Sequence, residues 1–220
     1  MIGYHRKGLF ISFEGIDGSG KSVQAKRLFE RLKKTGYAVL LIREPGGTVI
    51  SESIRTILLD RQLQDMAIVT ELLLYEAARA QLVYERIVPE LNKGTIVLTD
   101  RYTDSTVAYQ AFGRQLPSGV VNESNILACA GVFPDRTYVL DIPVDESKKR
   151  MSGCNKNDRM EKEKVSFFER VREGYLAIAS KEPDRVYVLD GLKSMDALEQ
   201  EILDDVLLYI QAAQIKKKEY

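Results

Sequence analysis

Residues 9–22 read LFISFEGIDGSGKS: an apolar, β-rich run from Leu9 to Phe13, then Glu14, then Gly15, Ile16, Asp17, Gly18, Ser19, Gly20, Lys21 and Ser22, which complete the pattern G-x-x-x-x-G-K-S. Each residue type has a chemical reason. Glycines let successive backbone N–H groups turn inward around a phosphate, and a helix opening at Lys21 adds the positive end of its dipole. The Lys21 ammonium reaches the β and γ phosphates and the Ser22 hydroxyl ligates Mg²⁺. A glycine turn that only packs a helix on a sheet is the weaker reading, because strand and helix flank the match as the chemistry requires. Asp17 inside the loop is unfavourable beside a triphosphate unless it serves a cation or a hydroxyl. A turn-forming Asp is an equally good account of it.

Outward from this loop, short apolar runs recur with helical patterns between them: Ala38 to Ile42, Thr95 to Thr99, Thr137 to Leu140 and Val186 to Leu189. Runs that are apolar throughout suit strands covered on both faces by crossover helices, so the expected fold is α/β, a P-loop NTPase with a five-stranded parallel sheet flanked by helices. Helices are predicted at about 21–35, 48–60, 67–91, 118–130, 166–180 and 197–214, with Gly36, Gly94 and Gly131 as C-terminal caps. The spacing predicts one domain over 1–220. Residues 152–164, rich in Ser, Gly, Asn, Asp and charge, read as an exposed mobile lid that is no part of the core.

Composition narrows the partners. The chain has 220 residues with 32 Lys plus Arg against 32 Asp plus Glu, so there is no broad positive field with which to collect nucleic acid. Cys129 and Cys154 form neither a disulfide framework nor a C-x-x-C pair, no apolar run approaches a membrane span, and the start, with His5, Arg6 and Lys7, is short and polar. A soluble cytoplasmic protein is expected. The closing Lys216, Lys217, Lys218 run reads as a solvated helix end.

A P-loop names a nucleotide and not a reaction. The third strand ends in Asp100 and Arg101, at the edge where α/β sheets bind ligands and where a magnesium-side carboxylate is expected. After the second strand, Arg43 to Thr48 (REPGGT) forms a rigid turn into a helix carrying Arg55. Tyr75 and Arg79, four apart, share a helix face, and an aromatic plate beside a planar donor fork suits a nucleobase. The plainer reading makes Tyr75 core and Arg79 a surface charge. Asn155 to Asp158 (NKND) falls in the lid and not at a strand end, so it is an accidental likeness to a guanine box.

Taken in order, Phe13 to Ser22 (FEGIDGSGKS), Arg43 to Thr48, Tyr75 to Leu82 (YEAARAQL), Asp100 to Gln110 (DRYTDSTVAYQ) and Asp158 to Tyr175 resemble the signatures of the thymidylate kinase family, bacterial type, over essentially the whole chain. The resemblance implies transfer of the ATP γ-phosphoryl group to dTMP with Mg²⁺, usually by a homodimer. It implies that Arg101 and Arg55 clamp the acceptor phosphate and that Glu44 and Asp17 lie near the sugar and the metal water. Tyr75 would stack on thymine, where Phe is commoner, Arg79 and Gln110 bond the pyrimidine edge with Ser105 nearby, and Tyr109 crowds the sugar 2′ position. Ser22 and Asp100 stand on the metal side. One subgroup of the family carries an arginine within the P-loop, where this chain has Gly18. The lid residue Arg159 is therefore expected to stabilise the transferring group, and Arg150 to lie against adenine. Ala111 to Gln115 departs from a more glycine-rich turn, and Lys156, Lys162 and Lys164 make the lid rich in lysine. A kinase with another acceptor, or a nucleotide-dependent scaffold, are the rival readings.

Overall fold

A computed structural model describes residues 7–152 and 159–217. Cys154, Lys156, the Asn155 to Asp158 run, His5, Arg6 and Lys218 lie outside the described residues. Five strands, β1 (Phe10–Glu14), β2 (Val39–Arg43), β3 (Ile96–Asp100), β4 (Arg136–Asp141) and β5 (Val186–Asp190), form one parallel sheet in the order β2-β3-β1-β4-β5. The strand of the opening motif is therefore central, with Phe13 in register with Asp100 on one side and Tyr138 on the other.

The whole of β1 is buried, because its two alternating sets of side chains face two cores. Ile11 and Phe13 meet Leu28 and Leu32 of α1 (Lys21–Lys34) and Leu198, Ile202 and Val206 of α9 (Met195–Ala212). Phe10 faces the other way, against Leu82, Ile87 and Leu91. Further along that face Val139 and Val186 pack on Phe167, Val171 and Tyr175 of α8 (Val165–Lys181).

The remaining helices are α2 (Val49–Leu59), α3 (Ile68–Leu82), α4 (Val88–Asn92), α5 (Thr103–Thr106), α6 (Ser118–Cys129) and α7 (Val144–Met151). The helix read as one stretch over 67–91 is continuous but carries a π-helical turn at Val83–Ile87. Pro89, two residues further on, has no N–H to return to Glu85, and so the hydrogen-bond ladder widens there. Gly36, Gly94 and Gly131 all have positive φ, as C-terminal caps require. Thr103 to Gly113, not read as helical in the sequence, is α5 followed by a π-helix over Val107–Gly113.

The lid reading needs one correction. Its C-terminal part, Arg159–Lys162, is a 3-10 turn in which Arg159 and Met160 are buried, so the polar composition of 152–164 does not keep all of it outside the core. Arg159 is buried because it finds a carboxylate partner, described below. Among the described residues no helix is long and apolar enough to cross a membrane.

Candidate active site

The phosphate loop follows from where β1 stops and α1 starts. Gly15 turns the chain at φ +135°, and a Cβ there would fall 2.6 Å from the Leu140 carbonyl oxygen, so only glycine fits. Gly18 and Gly20 also have positive φ, and Gly20 precedes α1 with no side chain capping the helix. Among the described residues the first N–H groups of α1 therefore have no side-chain acceptor. Lys21 is buried, its Nζ 3.4 Å from the Ile16 carbonyl and 3.4 Å from Asp17 Oδ1. Ser147 donates to the Asp17 carbonyl at 2.6 Å and fixes the loop from α7.

Ser22 Oγ donates to Asp100 Oδ2 across the gap between α1 and β3. Asp100 Oδ1 and Ser19 Oγ are buried with no hydrogen-bond partner among the described residues. A serine hydroxyl beside a carboxylate with an orphaned oxygen is a hard, oxygen-only donor set, and these residues fit Mg²⁺.

Arg101, next after Asp100, has φ +74°, which a non-glycine residue adopts only when its surroundings hold it there. Its guanidinium supplies that hold. Nη1 donates to the Gly15 carbonyl at 3.2 Å, Ser105 Oγ at 3.1 Å and Tyr175 Oη at 3.1 Å; Nη2 donates to Asp17 Oδ1 at 2.8 Å and Tyr109 Oη at 3.1 Å. Burial opposes its charge, but Tyr109, Tyr175 and Asp17 keep it well above the ordinary arginine value. Beneath it Glu14, fully buried, accepts from Tyr102 N at 2.6 Å, Ser12 Oγ at 2.8 Å and Ser105 Oγ at 2.5 Å. Burial, reinforced by Asp104, pushes the Glu14 carboxyl up to about 7.

A cavity of about 470 Å³ joins this phosphate end to a second one. Asp17, Lys21, Ser22, Asp100 and Arg101 line it, and so do Glu44, Arg55, Tyr75, Arg79, Ser105, Tyr109 and Gln110. Arg55 reaches back from α2 to donate to the Pro45 carbonyl at 2.8 Å. Arg79 is buried and Tyr75 only half-buried, the reverse of the plain reading of that pair. Arg79 Nε donates to Glu44 at 2.8 Å, while Nη1 donates to Glu76 at 2.9 Å and Asn125 at 2.8 Å. Burial pushes the Glu44 carboxyl up to about 7 despite Arg79, and its Oε1 has no hydrogen-bond partner among the described residues. Arg101 lies over the face of the Tyr109 ring at 5.0 Å from its centre, and burial raises the Tyr109 hydroxyl well above its ordinary range.

Two predicted arginines lie off this cavity wall. Arg150 donates to the carbonyls of Gly18 at 3.3 Å and Gly191 at 3.1 Å, on the outer side of the phosphate loop. Arg159 is not placed against the phosphate loop: its guanidinium pairs with Glu71 and donates to the Leu58 carbonyl at 3.2 Å. Glu71 was missed in the sequence, as were Glu14, Tyr175 and Arg114. The signal was present, since Glu71, Tyr75 and Arg79 recur at four-residue spacing on one face of α3.

Comparison with known proteins agrees with this geometry. The family model described as thymidylate kinase matches residues 13–202. A thymidylate kinase of Caldanaerobacter subterraneus subsp. tengcongensis is 46% identical over 95% of this chain and 100% of its own, and one of Kosmotoga olearia is 45% identical over 92% and 97%. A crystal structure of thymidylate kinase from Ehrlichia chaffeensis is 33% identical with a TM-score of 0.75, covering 91% of this chain and 98% of that one. By fold, by the order of its motifs and by these relatives, the chain belongs to the thymidylate kinase family.

Proposed function

We propose that the protein transfers the γ-phosphoryl group of ATP to dTMP, giving dTDP and ADP. The observation that carries this reading is the single cavity with Lys21 and Ser22 at one end, Tyr75, Arg79 and Gln110 at the other, and Arg101 between them. A phosphate oxygen of dTMP forms the new bond to the γ-phosphorus as the bond to the β–γ bridging oxygen breaks. The acceptor is already an anion, so no general base is needed and catalysis is positioning and charge neutralisation.

Lys21 and the N–H groups opening α1 hold the β and γ phosphates, and Arg150 lies against adenine. Ser22 and Asp100 hold Mg²⁺, which when bound neutralises charge shared between the phosphates. Arg101 and Arg55 clamp the acceptor phosphate, and Asp17 and Glu44 flank its sugar. Tyr75 stacks on thymine, Arg79 and Gln110 bond its edge beside Ser105, and Tyr109 crowds the 2′ position. Arg159 reaches the transferring group only by exchanging Glu71 for phosphate, so the role proposed for it requires its side chain to leave Glu71.

ADP release with dTMP, dUMP, dGMP and AMP as acceptors tests the proposal. Preference for dTMP is expected; equal rates with purine acceptors would end it.

The same reading includes one catalytic unit over 1–220 in the cytoplasm, supported by a sheet and cavity to which elements along the whole described chain contribute. It also includes a homodimer. Val49, Leu73 and Leu127 are 84%, 58% and 83% exposed on α2, α3 and α6, helices that pack side by side and would share one apolar face. Light scattering at twice 24.9 kDa is expected, and a mass of 24.9 kDa would remove the dimer.

A further inference from the structure

Behind the wall of the cavity, Glu71 is 1% exposed, and among the described residues every partner of its carboxylate is a donor. Arg114 donates to it through Nε at 3.0 Å and Nη2 at 3.1 Å, Arg159 through Nη2, and Gln110 through Nε2 at 2.9 Å. Burial alone would raise its pKa, yet the bonds and charge of Arg114, together with Gln110 and Arg159, bring it below the ordinary value. Glu71 is therefore an acceptor and nothing else. A flipped Gln110 amide would set oxygen against oxygen in a buried site, so the amide has one orientation.

We infer that Glu71 is a positioning residue that selects the pyrimidine by polarity: it turns the Gln110 amide so that its oxygen, and not its NH₂, is offered to a base in the cavity. Gln110 Oε1 accepts no hydrogen bond among the described residues, and Gln110 lines the cavity. Arg79 lines it too and can only donate. Its Nε and Nη1 are tied to Glu44, Glu76 and Asn125, and Nη2 makes none of these bonds. A donor beside an acceptor matches a base edge with a carbonyl next to a ring N–H, as in thymine or uracil. Cytosine presents the inverse, an amine next to an unprotonated ring nitrogen, and would leave both protein groups mismatched in a desolvated site. The carboxylates behind the wall thus write the polarity that the base reads.

This inference rests on the dTMP-kinase reading. Its test is the ratio of kcat/KM for dTMP over dCMP, measured with ATP on the full chain as wild type, Glu71→Gln, Gln110→Leu and the double variant. The ratio is expected to fall about tenfold to hundredfold in Glu71→Gln, similarly in Gln110→Leu, and no further in the double variant, because both changes act through one amide. If Glu71→Gln does not fold, Glu71→Asp, which keeps the anion but draws it back, is read in the same way. Equal losses for both acceptors with an unchanged ratio would overturn the inference, as would independent, multiplying effects of the two changes on the ratio. A wild-type enzyme that phosphorylates a different acceptor and not dTMP would instead overturn the underlying function.

Discussion

Asp17 Oδ1 and Arg101 Nη2 meet at 2.8 Å, joining the phosphate loop after β1 to the residue that follows β3. Lys21 lies 3.4 Å from the same oxygen, so one carboxylate sits between two cations that both work on phosphates in the proposed reaction. In that proposed reaction Asp17 would space the lysine at the donor from the arginine at the acceptor.

Arg101 makes five hydrogen bonds from the two ends of one planar fork, which an ammonium cannot reproduce. Arg101→Lys should lower kcat/KM for dTMP by about a hundredfold or more, with KM raised and kcat reduced, since acceptor phosphate and transition state both lose the fork. Initial rates at saturating ATP give the answer, and wild-type kcat/KM would mean that Arg101 is only a strut.

Glu14 supplies a pH dependence of stability. Its carboxyl sits at about 7 in the folded protein, held there chiefly by burial, against 4.5 as its ordinary value. Between those two pH values the native state keeps a proton that the unfolded chain releases, so this group's contribution favours folding at the acidic end and is lost as pH rises towards 7. Glu14→Gln imitates the protonated form. Relative to wild type it should gain up to about 1.4 kcal/mol per pH unit between pH 5 and 7 in urea unfolding. Glu44 is also pushed up to about 7, chiefly by burial; the Glu14 charge is the smallest of its causes, so its own slope is reduced only slightly in the variant. A stability difference that does not change with pH would show Glu14 to be ionised throughout.

Tyr109 is held on several sides: Arg101 over its face, Phe167 edge-on at 6.0 Å and Tyr175 at 6.5 Å between ring centres. A ring so fixed can exclude a hydroxyl by bulk. Tyr109→Ala should narrow the preference for dTMP over its ribose counterpart by about tenfold, whereas Tyr109→Phe, which keeps the ring, should leave it. Competing rates with the two acceptors decide, and an unchanged ratio in the alanine variant assigns the discrimination elsewhere.

The sheet was legible because the three central strands are buried on both faces, and even the partly exposed edge strands β2 and β5 read as apolar runs. The phosphate loop was legible because backbone N–H groups that must face a phosphate demand glycine. Thr103 to Gly113 was not. Its β-branched Thr103, Thr106 and Val107 rank low as helix formers, and what holds the segment helical is packing on α8. That packing is close enough that a Cβ on Gly113 would meet Phe167 at 2.7 Å and one on Gly174 would meet Phe112 at 2.9 Å. Glu71 hid for a related reason. A lone glutamate in a helix reads as solvated, and it is buried here only because Arg114 and Arg159, distant in sequence, converge on it.

The Glu71 carboxylate that holds Arg159 in this structure competes with the phosphoryl group proposed as its partner. If the residue leaves Glu71 during turnover, its charge is supplied only near the transition state. Arg159→Ala should then lower kcat by about a thousandfold, the lower end of what an arginine at a transferring phosphoryl group contributes, with KM for dTMP little changed. Glu71 would keep Arg114, so the fold should survive. Arg159→Lys should restore only part of kcat, since the charge returns without the fork. Steady-state kinetics separates this from a residue that only neutralises Glu71: in that case kcat stays at the wild-type value and the loss is confined to KM or to thermal stability.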